Sequence, residues 1–133
     1  MKSRAALFVG KDQPLVVDEI EVPAPRADQV IVRLTYTGLC HSQLHQMAAG
    51  ERLETPSILG HEAAGNVTHV GSGVKDLKEG DQVIVTWVSK YNDVFSGGLP
   101  AQDPPGTTYK GKPISEVVVH AWAQDVLALE KYV

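Results

Sequence analysis

Sulfur is scarce in this sequence: Cys40 is the one cysteine among 133 residues. A single thiol excludes an internal disulfide, and with it a disulfide-stapled secreted scaffold. It excludes a four-cysteine structural zinc site within these residues as well. Long apolar runs are also missing, and no stretch approaches the ~18 consecutive apolar residues that span a bilayer. The opening Met1-Lys2-Ser3-Arg4-Ala5-Ala6-Leu7-Phe8-Val9 puts basic residues ahead of apolar ones, as a secretory leader does. Gly10, Lys11 and Asp12 cut that run short of a leader's hydrophobic region, so a cytoplasmic protein beginning with a strand is expected. Basic charge is in deficit: 12 Lys plus Arg face 16 Asp plus Glu, a net charge of −4. That balance argues against nucleic acid or an anionic membrane as the main partner. The length suits one domain with a real core and is short for a two-domain cofactor enzyme, at ~100–200 residues per domain.

What is present reads mostly as strands. Residues 5–10 and 15–22 are short β-prone runs separated by the turn Lys11-Asp12-Gln13-Pro14, and Pro23 and Pro25 block further pairing. The clearest strand is Gln29–Thr37. It places Val30, Val32, Leu34 and Tyr36 on one face, with Ile31, Arg33, Thr35 and Thr37 on the other. One helix is predicted, His41–Ala49, with Gly50 as its C-terminal cap and an apolar stripe of Leu44, Met47 and Ala48 facing a core. Further strands are expected at 63–70, 81–88, 115–122 and 126–129. Residues 89–113, with four glycines and four prolines, read as a long loop or lobe. Many short strands with closely spaced turns suggest a closed or partly closed β-barrel.

Chemistry concentrates between Gly38 and Val74. Thiolate and imidazole are ligands that zinc prefers, and carboxylate is a further ligand or an orienting group. Cys40 follows a strand and begins a helix, where backbone N–H groups favour a thiolate. His61 follows Gly60, and Glu62 comes next. Spacing alone leaves the matter open. One Cys and one His about twenty residues apart form no short zinc motif, and a lone cysteine is commonly an inert small hydrophobe.

The wider pattern narrows the choice. Gly60-His61-Glu62-x-x-Gly65-x5-Gly71-x-x-Val74 closely resembles the signature of zinc-dependent alcohol dehydrogenases of the medium-chain dehydrogenase/reductase superfamily. Gly38-Leu39-Cys40-His41-Ser42-x-x-His45 resembles that family's first metal-ligand segment, and Val74-x-x-Leu77-Lys78-x-Gly80-Asp81-x-Val83 the turn and strand that follow. The resemblance covers residues 5–88 well and 114–133 loosely. It implies a mainly β fold, the GroES-like (chaperonin-10-like) partly open barrel with short helices, as the catalytic domain over residues 1–133.

The resemblance also implies roles. Cys40 and His61 match two of three protein ligands of a catalytic zinc, and Glu62 the acid that supports or transiently replaces a ligand. Ser42 matches the hydroxyl that accepts the alcohol proton, and His45 the histidine that passes it towards solvent. His41 matches a basic position near the cofactor pyrophosphate. The implied activity is NAD- or NADP-linked interconversion of a small alcohol with an aldehyde or ketone, with homo-oligomer formation left open. Plainer readings stand beside these: His41 and His45 sharing an exposed helix face, Ser42 as a helix cap, the glycines as turn and bulge positions. His69 and His120 are expected on a solvated strand face, with His120 partly buried. Trp87 and Trp122 are expected to pack, an aromatic near 89–113 being also suited to a substrate entrance.

Two departures qualify the resemblance. Residues 89–113 contain none of the four cysteines that hold a structural zinc in many relatives, so no structural zinc is expected. No strand–Gly-x-Gly-x-x-Gly–helix unit occurs either, so the nucleotide-binding domain and the third zinc ligand are expected outside these residues. The chain alone is then expected to lack dehydrogenase turnover. A stand-alone barrel acting as a non-catalytic binding or assembly module remains the rival expectation.

Overall fold

The computed structural model describes residues 1–49, 56–91, 106–116 and 119–133. Its strands are β1 (Lys2–Phe8), β2 (Val16–Glu21), β3 (Gln29–Thr37), β4 (Ser57–Ile58), β5 (Glu62–Val70), β6 (Gln82–Thr86), β7 (Thr108–Tyr109), β8 (Lys112–Pro113), β9 (Ser115–Glu116) and β10 (Asp125–Leu129). One helix, α1 (His41–Ala49), and a 3-10 turn at Glu130–Tyr132 complete the order. A six-stranded sheet runs β8-β7-β2-β1-β4-β9, and a four-stranded sheet runs β10-β3-β5-β6. Residues 122–124 stitch the two together. Ala6 N–H donates to Trp122 C=O and Gln124 N–H to Arg4 C=O, both at 2.8 Å, while Leu34 N–H donates to Gln124 C=O on the other side.

Strand β3 explains why the sheets curl around two cores. Val30 and Val32 enter one cluster with Val67, Val85, Val126 and Ala128; Ile31 enters the other with Leu7, Ile20, Ile58 and Leu127. A β-strand sends successive side chains to opposite faces, so a run of β-branched residues buried on both sides must lie between two layers. Register shifts between Ile31 and Val32 and between Leu34 and Tyr36 bend the strand. Past Val32 it emerges from the core, and Tyr36, expected on the same apolar face, is exposed.

Several expectations need correction. The stripe on α1 is not a core stripe: Leu44 is 55% exposed, Ala48 is exposed, and the buried residue of the helix is Gln43. Of the predicted strand 115–122, β9 is the part that forms a strand among the described residues. Ala121 and Trp122 instead donate their N–H groups to Gly60 and Leu59, and the positive φ of Gly60, 92°, takes that segment out of a regular ladder. His120 lies fully buried, not on a solvated face; His69 is exposed as expected. Within 89–113, residues 107–114 form a hairpin whose turn puts Lys110 and Gly111 at φ 51° and 74°. Pro113 is tolerated because β8 is an edge strand. Gly50 and residues 92–105, where the cap and most of the lobe were expected, lie outside the described residues. No helix among the described residues is long and apolar enough to cross a membrane.

Candidate metal centre

Cys40 and His61 each follow a loop that one tryptophan braces. Trp122 Nε1–H donates to Gly38 C=O at 3.2 Å, and the Trp122 backbone N–H donates to Leu59 C=O. Its ring also sits against Gly60, where a Cβ would come within 2.6 Å of Trp122 Cδ1. Gly60 therefore has two reasons to be glycine, its φ and this close approach. The two loops are tied directly as well. Gly38 N–H donates to Glu62 C=O at 2.9 Å, and Thr37 Oγ1 to the same oxygen at 3.3 Å.

Helix α1 starts at Cys40 as its N-cap residue. Gln43, three residues on, turns its Oε1 back to accept the Cys40 N–H at 2.9 Å, half of a capping box. The Gln43 N–H donates in turn to Cys40 C=O at 3.1 Å. The same side-chain amide reaches His61 Nδ1 at 2.8 Å and Ser42 Oγ at 3.2 Å. Gln43 thus joins the thiol segment to the imidazole, a role that the ligand types Cys, His and Glu do not reveal. A usable signal existed: a Gln three residues after a helix start.

The Cys40 thiol is held below its ordinary value. The Ser42 hydroxyl contributes most, followed by the Ser42 backbone N–H, against the opposing effects of burial and of the Glu62 carboxylate. The expected thiolate-favouring N–H groups are there, but a hydroxyl outranks them. Glu62 is exposed and its side chain lies over Gly38. Of the two residues expected to relay a proton, the Ser42 hydroxyl engages Cys40 and Gln43. His45 pairs instead with His41, ring centroids 4.8 Å apart, on the exposed side of α1. Trp87, half-exposed, stands edge-on to His61 with centroids 6.3 Å apart.

The donor types fit zinc: a thiol biased towards thiolate, a half-buried imidazole, and a carboxylate near enough to Cys40 to oppose its ionisation. The fit is partial. Among the described residues no group of three His, Cys, Asp or Glu gathers around one point.

Comparison with known proteins decides the family. The alcohol dehydrogenase GroES-like domain matches residues 26–130. The chain belongs to that family. Alcohol dehydrogenase GroES-like domains are mainly β, partly open barrels with short helices, as found here. An alcohol dehydrogenase from Malus domestica is 39% identical over 94 residues, 70% of this chain and 25% of that protein. An S-(hydroxymethyl)glutathione dehydrogenase from Haemophilus influenzae is 41% identical over 91 residues, 68% of this chain and 24% of that protein. This GroES-like domain thus spans about a quarter of the length of the curated relatives it matches. Among solved structures, an alcohol dehydrogenase zinc-binding domain protein from Burkholderia ambifaria superposes with a TM-score of 0.86 at 28% identity, covering 99% of this chain and 41% of the other. Benzyl alcohol dehydrogenase from Acinetobacter calcoaceticus, at 21% identity and TM-score 0.79 over 99% of this chain and 40% of the other, shares the fold.

Proposed function

We propose that the chain is the zinc- and substrate-binding part of a zinc-dependent, NAD- or NADP-linked alcohol dehydrogenase. The observation that carries this reading is the convergence of Cys40 and His61 on the two ends of the Gln43 amide, in a GroES-like frame. Cys40 and His61 would hold the metal, with Glu62 as a third or exchanging ligand. When bound, zinc supplies Lewis acidity towards an alcohol or carbonyl oxygen, and the nicotinamide takes or gives hydride.

This chain's own residues supply the rest. The Ser42 hydroxyl donates to Cys40 and takes a donor from Gln43, so it is held in place one residue into α1. It would accept the substrate proton, and His45, exposed on the next turn, would release it to water. His41, ring to ring with His45, would face an anionic cofactor group. Leu39, 81% exposed, with Leu44 and Trp87, offers apolar surface around the ligands to a small alcohol, aldehyde or ketone. No dinucleotide fingerprint occurs in the 133 residues, so the chain by itself is expected to have no turnover with NAD(P) and an alcohol.

Metal analysis after dialysis against Zn²⁺ and removal of the excess is the test. Near-stoichiometric zinc that is lost in Cys40→Ser supports the metalloenzyme reading. A native chain that holds no zinc would show that Cys40 and His61 do not retain the metal without the third ligand expected outside these residues, and leaves the second reading, a non-catalytic binding module, standing beside the first.

A further inference from the structure

Gln43 is the one buried side chain of α1, and both ends of its amide have set partners. A backbone N–H only donates, so the Cys40 N–H at 2.9 Å must face Oε1. Nε2 then faces His61 Nδ1 at 2.8 Å. An amide nitrogen offers no lone pair, so it donates, and Nδ1 is the acceptor. A neutral imidazole that accepts at Nδ1 carries its proton on Nε2.

We propose that Gln43 is a positioning residue that locks His61 as the Nε2–H tautomer and thereby restrains metal loading. Metal-ligating histidines donate their other ring N–H to an acceptor, which raises the basicity of the ligating nitrogen. Here the neighbour presents a donor instead. A metal arriving at Nε2 must displace the proton there, and Nδ1 cannot take that proton while the amide N–H occupies it. Loading therefore requires Gln43 to rotate its Oε1 to His61, which leaves the Cys40 N–H facing an NH₂ group and uncaps α1. Ser42 shares the lock, because its hydroxyl oxygen is the amide's second acceptor. The effect on metal affinity rests on the reading of Cys40 and His61 as zinc ligands; the tautomer does not.

Gln43→Glu keeps the shape and replaces the donor by an acceptor but adds a negative charge. One carboxylate oxygen retains the Cys40 N–H, and the other accepts from Nδ1–H. Gln43→Leu, which removes the donor without a charge, is run beside it, and tighter zinc in both variants assigns the gain to the lost donor. The ring nitrogens of ¹⁵N-labelled, metal-free chain are observed by NMR at a pH that keeps His61 neutral, with the signals assigned through His61→Gln. Zn²⁺ affinity is measured by chelator competition. The expected result is Nε2–H in the native chain, Nδ1–H in Gln43→Glu, and zinc at least about tenfold tighter in that variant and tighter also in Gln43→Leu. An Nδ1–H tautomer in the native chain overturns the lock, and needs no variant to fold. A switched tautomer with unchanged zinc affinity, or with tighter zinc in Gln43→Glu alone, overturns the restraint on loading. A switched tautomer with no zinc bound by any of the three proteins upholds the lock and overturns the zinc reading.

Discussion

Asp125 is buried, yet its carboxylate is satisfied from two sides. Ser3 Oγ donates to Oδ2 at 2.7 Å and Arg33 Nε to Oδ1 at 2.5 Å, while the Asp125 N–H donates back to Ser3 Oγ. The partners are not equivalent, since the Arg33 side chain is 55% exposed and that of Asp125 1%. Removing the arginine strands a buried charge; removing the charge lets the guanidinium turn to water. Arg33→Met should therefore cost about 3 kcal/mol, and Asp125→Asn only about 1–2 kcal/mol. Urea unfolding of the two variants checks the order, and a larger loss for Asp125→Asn would refute it. Ser3 also shows why β1 begins three residues before the run expected from apolar pattern: a polar residue occupies an inward position because Asp125 meets it there.

His120 carries a second prediction at this scale. Burial disfavours its charged form and lowers its pKa from 6.5 to about 4. Above 6.5 both folded and unfolded chains hold it neutral. Between 6.5 and about 4 the unfolded chain takes up a proton that the folded chain refuses, so stability falls as pH falls, by about 1.4 kcal/mol per pH unit. Chemical unfolding at pH 6 and pH 5, above the main carboxylate range, should show this slope in the native protein. His120→Gln should lack that component. Equal slopes in the two proteins would mean that His120 is not held neutral. The apolar run around His120 pointed to burial, but nothing in it indicated how complete the burial would be.

At the scale of elements, the pairing of β3 with β5 sets the distance between the loops that carry Cys40 and His61. Gly65 lies at the second irregularity of that pair, where a Cβ would stand 2.1 Å from the Arg33 carbonyl oxygen. Backbone must move to admit it. Gly65→Ala should destabilise by more than the ~1 kcal/mol usual for a point substitution. It should also shift amide NMR signals of Gly38 and Glu62, which are hydrogen-bonded across the same pair. Unchanged signals there would separate the glycine from the site. This position sits in the signature stretch 60–74, and its reason is structural: it holds the frame in which Cys40 and His61 sit. Strong period-2 and turn signals made β3 and the bounds of α1 legible. The two-residue β4 and the β7–β8 hairpin were not, because strands that short have no period and exist through the partners that the fold brings to them. The α1 stripe misled because a polar residue, Gln43, anchors that helix.

For the molecule as a whole, the candidate site was half legible. The loop positions of Cys40 and His61 followed from their glycines, whereas the Gln43 bridge, the Trp122 brace and the His41–His45 pair depend on three-dimensional closure. That closure runs through β3 and β10, which alternate between the two cores: Ile31 and Leu127 face one, and Val30, Val32, Val126 and Ala128 the other. With successive residues of both strands serving opposite layers, neither core can open without dislocating the ladder that holds its counterpart. Leu127→Ala should therefore cost about 2–5 kcal/mol and still leave one cooperative transition. Far-UV circular dichroism reports mainly the sheets, and tryptophan fluorescence reports Trp122, packed against the Leu127 cluster, together with half-exposed Trp87. The two midpoints should move down together in urea. If fluorescence shifted ahead of the dichroism, the Leu127 core would be melting by itself, and the shared-strand account of the fold would be wrong.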